Sequence, residues 1–199
     1  MSINTHTLII GALVIIALIV LAIVIVRQYQ ERQSQRLRQR FGPEYGRVVA
    51  AHGNTTKAES ELLAREKRVS QLNIVPLAPS DAARFSEAWA QLQSRFVDTP
   101  RGVVAEADTL VRELMLKRGY PIGDFERRAA DISVDHPRLV ITYRAAQEIA
   151  ARDRKGGDVS TEDLRKAVVH YRQLFDELLE VRKPAPGVEV SRKPEVVES

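Results

Sequence analysis

The stretch "STEDLRKAVVHYRQLFDELL", from Ser160 to Leu179, carries the clearest helical signal in the chain. Apolar residues recur in it at spacings of three and four, which places them on one face of an α-helix. Ser160 and Asp163 resemble a capping box at its start, with Asp where Glu or Gln is usual. The apolar face consists of Leu164, Ala167, Val168, Tyr171, Leu174, Phe175 and Leu178. The stretch therefore predicts a helix with one side buried in a core.

The same periodicity extends through the preceding hundred or so residues. Four more stripes predict helices: Phe85, Ala88, Trp89, Leu92 and Phe96; Val103, Ala107, Leu110, Val111 and Leu114; Phe125, Ala129 and Ile132; and Leu139, Val140, Tyr143, Ala146 and Ile149. Two earlier helices are predicted over Pro43–His52 and Thr56–Leu72. No run alternates as a strand would, so the predicted class is all-α, a multi-helix bundle of five to seven helices.

Residues that start and stop helices agree with these stripes. Polar caps and proline favour helix starts, and glycine favours the position after a helix end. The predicted signals are Ser80 as N-cap of a helix near Asp81, Thr99 followed by Pro100 at a first helical position, Gly119 after a C-terminus, and Asp135 as cap of a helix from about Pro137.

The N-terminus contains a segment of a different kind, "LIIGALVIIALIVLAIVIV", from Leu8 to Val26. A helix of this length reaches about 28 Å, against a hydrocarbon core of about 30 Å. The preceding residues contain no Lys or Arg, and the apolar run ends directly at Arg27. A cleavable signal peptide usually shows a basic start and a small-residue cleavage site. We therefore predict an uncleaved single transmembrane helix, with a signal peptide as the alternative.

The direction of this helix follows from the charges beside it. Five arginines and one glutamate follow the apolar run, and positively charged flanks stay cytoplasmic. The predicted location is the cell membrane, single-pass, with the N-terminus outside and the C-terminal domain cytoplasmic. A periplasmic or extracellular domain is the weaker alternative. These arginines are expected to contact lipid headgroups of the bilayer, and the alternative is that they act only as a topology signal. They are Arg27, Arg32, Arg36, Arg38 and Arg40.

The chain divides into five predicted parts. They are a short external N-terminus (1–7), the transmembrane helix (8–26), a basic juxtamembrane stalk (27–40), the helical domain (41–181) and a disordered tail (182–199). The stalk carries the whole formal net charge of +4, because basic and acidic residues cancel elsewhere. A domain without excess positive charge lacks the electrostatic footprint of nucleic-acid binding, so we predict no nucleic-acid partner.

No motif for catalysis, metal binding or nucleotide binding is present in the sequence. There is no cysteine, and the four histidines (His6, His52, His136 and His170) show no HxxxH or HxxH spacing. Nucleophile-elbow and glycine-rich phosphate motifs are also missing. Asp98 with Asp108 and Asp131 with Asp135 are candidate acid–base pairs, but structural roles at helix starts are favoured for Asp98 and Asp135. The sequence predicts no catalytic residue, metal, cofactor or small-molecule substrate.

Two functional hypotheses remain. The first is a non-catalytic interaction or scaffold module that captures a protein partner or self-associates. Its candidate surface lies in "LKRGYPIGDF", where Arg118, Tyr120 and Pro121 would form an exposed patch of the composition found in interface anchors. In the competing interpretation Tyr120 and Phe125 fill the core at this corner. The second hypothesis is an enzyme with an unrecognised pocket around Asp135, His136, His170 and Arg118.

Three blocks of the chain also carry a resemblance. They are "RFGPEYGRVV", the segment from "QSRFVDTPRG" to "TYRAAQEIA", and "STEDLRKAVVHYRQLFDELL". Together they resemble a group of uncharacterised bacterial proteins that join an N-terminal hydrophobic segment to an α-helical domain with FVD-x-P, RGYP and DHP elements. The resemblance implies that the domain is one unit and that the hydrophobic segment belongs with it. It implies no activity and no functional residue.

Overall fold

A computed structural model describes residues 5–121 and 123–179, and every regular element in these ranges is an α-helix. The predicted all-α class is confirmed, and the helix Pro43–His52 has the predicted bounds. The eight helices of the described ranges are α1 Thr5–Phe41, α2 Pro43–His52, α3 Thr55–Val69, α4 Pro79–Ser94, α5 Pro100–Arg118, α6 Phe125–Asp135, α7 Leu139–Arg154 and α8 Thr161–Leu178.

α1 is one continuous helix of 37 residues that includes both the apolar segment and the predicted stalk. From Leu13 to Val26 its large apolar side chains are 44–61% exposed, whereas Leu37 and Phe41 near its end are fully buried. This helix is long and apolar enough to cross a membrane, with a mean hydropathy of 2.3 in its most apolar stretch. The last turns of the predicted stalk therefore belong to the core of the helical domain.

The buried residues form two clusters. The smaller cluster joins the end of α1 to α2 and α3 and includes Leu37, Phe41 and Leu62. Val134 of α6 also belongs to it, so α6 ties this three-helix unit to the rest of the domain. The larger cluster lies among α4–α8 and the 70–78 connection. We call these the N-terminal unit and the bundle.

Aromatic side chains fill the centre of the bundle. Trp89 packs on Phe175 with ring centroids 4.6 Å apart, and Tyr143 lies 6.2 Å from Tyr171 in an edge-on arrangement. All four side chains are at most 2% exposed. Aromatic pairs of this kind add about 0.5–1.5 kcal/mol beyond the area they bury. The predicted core role of Trp89 is confirmed.

Three predicted helix boundaries are confirmed. Gly119 follows α5 with φ +100°, a conformation that side chains with a Cβ rarely adopt. Pro100 is the first residue of α5, and the Ser160 side chain accepts a hydrogen bond from the Asp163 backbone N–H at the start of α8. Local sequence is sufficient to predict these helix boundaries because each signal acts within four residues.

Two predicted caps are wrong. α4 begins at Pro79, so Ser80 lies inside the first turn and caps nothing. Proline is favoured at a first helical position, and it moves the start by one residue. Asp135 is the last residue of α6, and α7 begins only at Leu139. The Asp135 carboxylate instead accepts a hydrogen bond from the Tyr120 hydroxyl at 3.2 Å.

Candidate interaction surfaces

The predicted patch of Arg118, Tyr120 and Pro121 is not an exposed surface. Arg118 is 6% and Tyr120 is 2% exposed, and only Pro121 is exposed. Arg118 Nη1 donates to the carbonyl oxygen of Leu178 at 3.0 Å, one of the carbonyls that the end of α8 leaves unpaired. The turn at Gly119 carries both side chains inward, and the competing interpretation of Tyr120 as a core residue is confirmed.

Tyr120 is held as a neutral donor in this position. Burial, and then the nearby Asp135 carboxylate, raise the pKa of Tyr120 well above its usual range. A phenol that stays protonated can donate to Asp135 at any ordinary pH. The bond joins the α5–α6 connection to the end of α6 and fixes the shape of the corner.

A cavity of about 260 Å³ opens beside this corner, and we call it the corner cavity. Met115, Leu116, Tyr120 and Pro121 form its apolar part, and Leu116 is 50% exposed. Small-molecule sites usually measure about 300–1,000 Å³. The corner cavity therefore lies just below the usual volume range of small-molecule sites. Its remaining lining consists of Thr109, Arg112, Glu113, Gly123 and Arg128.

The rim of the corner cavity is held by Arg128. Its Nε donates to the Tyr143 hydroxyl at 3.3 Å, and its Nη1 donates to the carbonyl oxygen of Gly123. Burial raises the pKa of Tyr143, although Arg128 acts in the opposite direction. These bonds connect α6, α7 and the turn, so the cavity is preformed in the described structure. Preformed sites lose less conformational entropy on binding.

The four residues of the enzyme hypothesis do not line one cavity among the described residues. Asp135 and His136 line a cavity of about 350 Å³ with Glu177, and His136 Nδ1 lies 3.2 Å from Glu177 Oε1. His170 lies two helical turns before Glu177 on α8 and is not part of this lining. Arg118 points to Leu178 instead.

The carboxylates considered for acid–base chemistry have arginine partners or lie on the surface. Asp131, 1% exposed, accepts a hydrogen bond from Arg68 at 2.8 Å, and Asp108 lies 3.4 Å from Arg112. Asp98 is exposed. In residues 5–121 and 123–179 no group of three or more His, Asp or Glu side chains could hold a metal ion. The bond from Arg68 to Asp131 links α3 to α6.

A buried ion-pair cluster that no sequence pattern indicates joins the N-terminal unit to the bundle. Glu44 of α2 is 1% exposed, and its Oε1 lies 3.2 Å from Arg65 Nη1 and 3.1 Å from Arg144 Nη2. Arg144 also contacts Glu126 at 2.7 Å. Only the position of Glu44 after Pro43, in a first helical turn, was visible in the sequence, and it indicates a helix start alone.

Three of the five arginines of the predicted stalk contact the N-terminal unit itself. Arg36 and Arg40 both pair with Glu66 of α3, Arg40 at 3.1 Å, and the Arg38 guanidinium lies 5.3 Å from the Tyr45 ring centroid. Arg27 and Arg32 are exposed and lie closer to the apolar segment. The lipid contact of all five arginines stays a prediction, and three of them also have protein partners.

A polar groove of about 700 Å³ separates the first part of this basic segment from α3. We call it the α1–α3 groove. Arg27, Gln30 and Ser34 line it on the α1 side, and Thr55 and Thr56 line it at the start of α3. The remaining lining residues are Glu31, Gln33, Gln35, Arg38, Glu59, Ser60 and Leu63.

No protein-family model, curated protein or solved structure matches this chain. Function is therefore inferred from the contacts, cavities and charges described above.

Proposed function

We propose that this chain is a single-pass membrane protein whose helical domain serves as a non-catalytic interaction module at the cytoplasmic face of the cell membrane. The observation that carries the proposal is the contrast along α1. Its apolar part from Leu13 to Val26 has exposed side chains on every face, whereas Leu37 and Phe41 of the same helix are buried in the domain. One helix thus ends in the domain core and leaves an apolar rod uncovered.

Lipid is the environment that suits this rod. Covering apolar surface is favourable by about 25 cal/mol per Å², and large exposed apolar patches mark contact with membranes or partners. A rod that is apolar all round also lacks the polar face of a helix that lies along an interface. A secretion signal meets the same test of length and composition, so the experiment below separates the two.

The arginines next to the rod support the cytoplasmic orientation. Arg27 and Arg32 lie within about 10 Å of its end along the helix, where headgroups are within reach. Arg36, Arg38 and Arg40 lie about 15–21 Å beyond the rod, outside the headgroup layer. We therefore assign lipid contact to the first two and attachment to α3 or α2 to the other three.

The corner cavity supports the interaction role. It is small and preformed, and it exposes half of Leu116 to solvent beside Pro121. An apolar side chain from a protein partner, or from a second copy of this chain, fits a site of this size and composition. Buried aliphatic or aromatic anchors of this kind dominate the binding energy of many interfaces.

Topology is tested with two reporter fusions placed after Ser199, one active only in the cytoplasm and one active only outside. The mass of the membrane-bound product is compared with the full-length value. We expect the cytoplasmic reporter alone to be active on an uncleaved chain. An active external reporter, or loss of the segment Leu8–Val26, contradicts the proposal.

The interaction role is tested with a photocrosslinking amino acid at Leu116 in membranes. Lys166, an exposed residue of α8, provides the matched control position. A discrete crosslinked product at Leu116 that is missing at Lys166 supports the corner cavity as a binding site. Crosslinking of equal pattern at both positions, or none at Leu116, contradicts it.

A further inference from the structure

The relative register of α1 and α3 is fixed at their far ends by one glutamate. Arg36 and Arg40 lie on successive turns of α1 and both contact Glu66 of α3. Glu66 therefore lies level with the middle of this pair, near Arg38. Both helices continue from this level toward the apolar segment of α1.

The α1–α3 groove gives the register at the other end. Arg27 and Thr55 both line it. Arg27 lies eleven positions before Arg38 on α1, and Thr55 lies eleven positions before Glu66 on α3. Eleven residues of helix span about 16 Å. Because Arg27 and Thr55 line the same groove, α1 and α3 run side by side in the same direction. Because the two distances are equal, the first turn of α3 lies level with Arg27.

Arg27 is the residue that directly follows the apolar segment, so the level of Arg27 is the level at which that segment ends. The turn between α2 and α3 reaches this level. Its residues from His52 to Lys57 are all exposed. It holds small polar residues, a histidine and a lysine, with no acidic and no large apolar side chain. Glu59, the nearest acidic residue of α3, lies a further turn away from this level.

We propose that the α2–α3 turn, His52–Lys57, lies in the headgroup layer of the bilayer, with Lys57 and Arg27 facing phospholipid phosphates. This inference rests on the proposed function, because it requires that the apolar segment of α1 crosses the membrane. The domain then touches the bilayer at two places, the emerging helix and this turn. Two contacts fix the orientation of the domain against the membrane, which one contact cannot do.

The test uses single cysteines, since the natural chain has none. Thr55→Cys reports the turn, and Ser70→Cys, fifteen residues later just after the same helix, is the matched control about 22 Å farther away. Leu21→Cys reports insertion of the apolar segment. Each full-length variant is labelled with a nitrobenzoxadiazole dye and placed in phosphatidylcholine and phosphatidylglycerol vesicles that contain a headgroup spin-labelled lipid.

We expect quenching at Thr55 to exceed quenching at Ser70 several-fold, while the dye at Leu21 is protected from a water-soluble reductant. Equal quenching at Thr55 and Ser70 with a protected Leu21 overturns the inference and leaves the membrane anchor intact. Reduction of the dye at Leu21 overturns the proposed anchor itself.

Charge reversal gives a second readout. Lys57→Glu in the Thr55→Cys background removes the phosphate-facing charge, and Lys67→Glu at the far end of α3 is its control. We expect lower quenching at Thr55 with Lys57→Glu and an unchanged value with Lys67→Glu. An unchanged value with both variants contradicts the assigned role of Lys57.

Discussion

Glu44 of α2 and Arg144 of α7 are one hundred positions apart in the chain, and their side chains meet at 3.1 Å. The glutamate is 1% exposed, and the same oxygen also accepts a bond from Arg65. This contact joins the N-terminal unit, which contains the end of α1, to the bundle. A charged contact at that junction has consequences for stability that can be measured.

Removal of Glu44 leaves two largely buried guanidinium groups without their shared carboxylate. Breaking a buried ion pair costs about 3–5 kcal/mol when the remaining charge is left unpaired, but Arg65 keeps its bond to Glu61 and Arg144 keeps its bond to Glu126. We therefore expect Glu44→Ala to lower the free energy of unfolding by about 1.5–3 kcal/mol, the range for hydrogen bonds to charged groups, measured by urea titration in detergent. Glu162→Gln, which removes an exposed pair with Arg165, is the control and should cost less than about 1 kcal/mol. Equal losses in both variants would contradict the role of Glu44.

Gly119 cannot accept a side chain. Its φ is +100°, and a Cβ built there would lie 2.3 Å from the carbonyl oxygen of Asn73. We expect Gly119→Ala to destabilise the domain by about 1–3 kcal/mol through strain and displacement of the 70–78 connection. Gly46, inside α2 with nothing near its Cβ position, is the matched control. Gly46→Ala should stabilise by about 0.5–1 kcal/mol in the same thermal unfolding experiment.

The buried tyrosines predict loss of stability at alkaline pH. Burial raises the pKa values of Tyr120, Tyr143 and Tyr171 above the ordinary value near 10. The unfolded chain then releases these protons at lower pH than the folded one, so stability is full below about pH 10 and falls as pH rises beyond it. Absorbance at the tyrosinate band measures the ionisation of these buried side chains directly.

The three buried tyrosines should ionise only together with the loss of helical circular dichroism. Titration of all tyrosines near pH 10 in a still-folded domain would contradict their burial. Tyr29→Phe, a change at a position that is 70% exposed, is the control and should leave the alkaline loss of helical circular dichroism unchanged.

Glu126 should make the stability of the domain depend on pH in the acid range, more weakly than the buried tyrosines do in the alkaline range. Partial burial acts to raise its pKa, but bonds from Arg144 and Arg47 outweigh burial and lower the pKa below the ordinary value. A lowered carboxyl pKa gives stability that is present above the unfolded pKa near 4.3 and is lost as pH falls through the folded pKa. We expect Glu126→Gln to reduce the slope of stability against pH below about pH 4.5. An unchanged slope in denaturant titrations across that range would contradict this.

The sequence alone predicted helix boundaries and core positions correctly where the signal lies in a few neighbouring residues. Trp89 in a stripe, Gly119 after a basic turn and Pro100 at a helix start each depend on a few neighbours, and all three predictions are confirmed. Asp135 shows the limit of such signals. Whether it caps α7 or ends α6 depends on where α7 begins, and the chain there takes three further residues.

The candidate surface was harder to predict because composition does not tell which way a corner faces. Arg118 and Tyr120 have the composition of an interface anchor, yet the end of α8 and Asp135 use their polar atoms inside the domain. The contact between Glu44 and Arg144 could not be predicted from the sequence for a related reason. Two charges one hundred residues apart carry no shared periodicity or spacing that would connect them.

The absence of any break in α1 between its apolar segment and Phe41 makes this helix a stiff shaft. Tilt or rotation of the shaft in a lipid bilayer would turn the whole domain by the same angle, since Leu37 and Phe41 clamp it to the core. One residue inserted after Val26 would turn the domain by about 100° and lift it by about 1.5 Å. Helices that pack against α1 in the bilayer would thereby set the direction, in the plane of the membrane, in which the corner cavity faces.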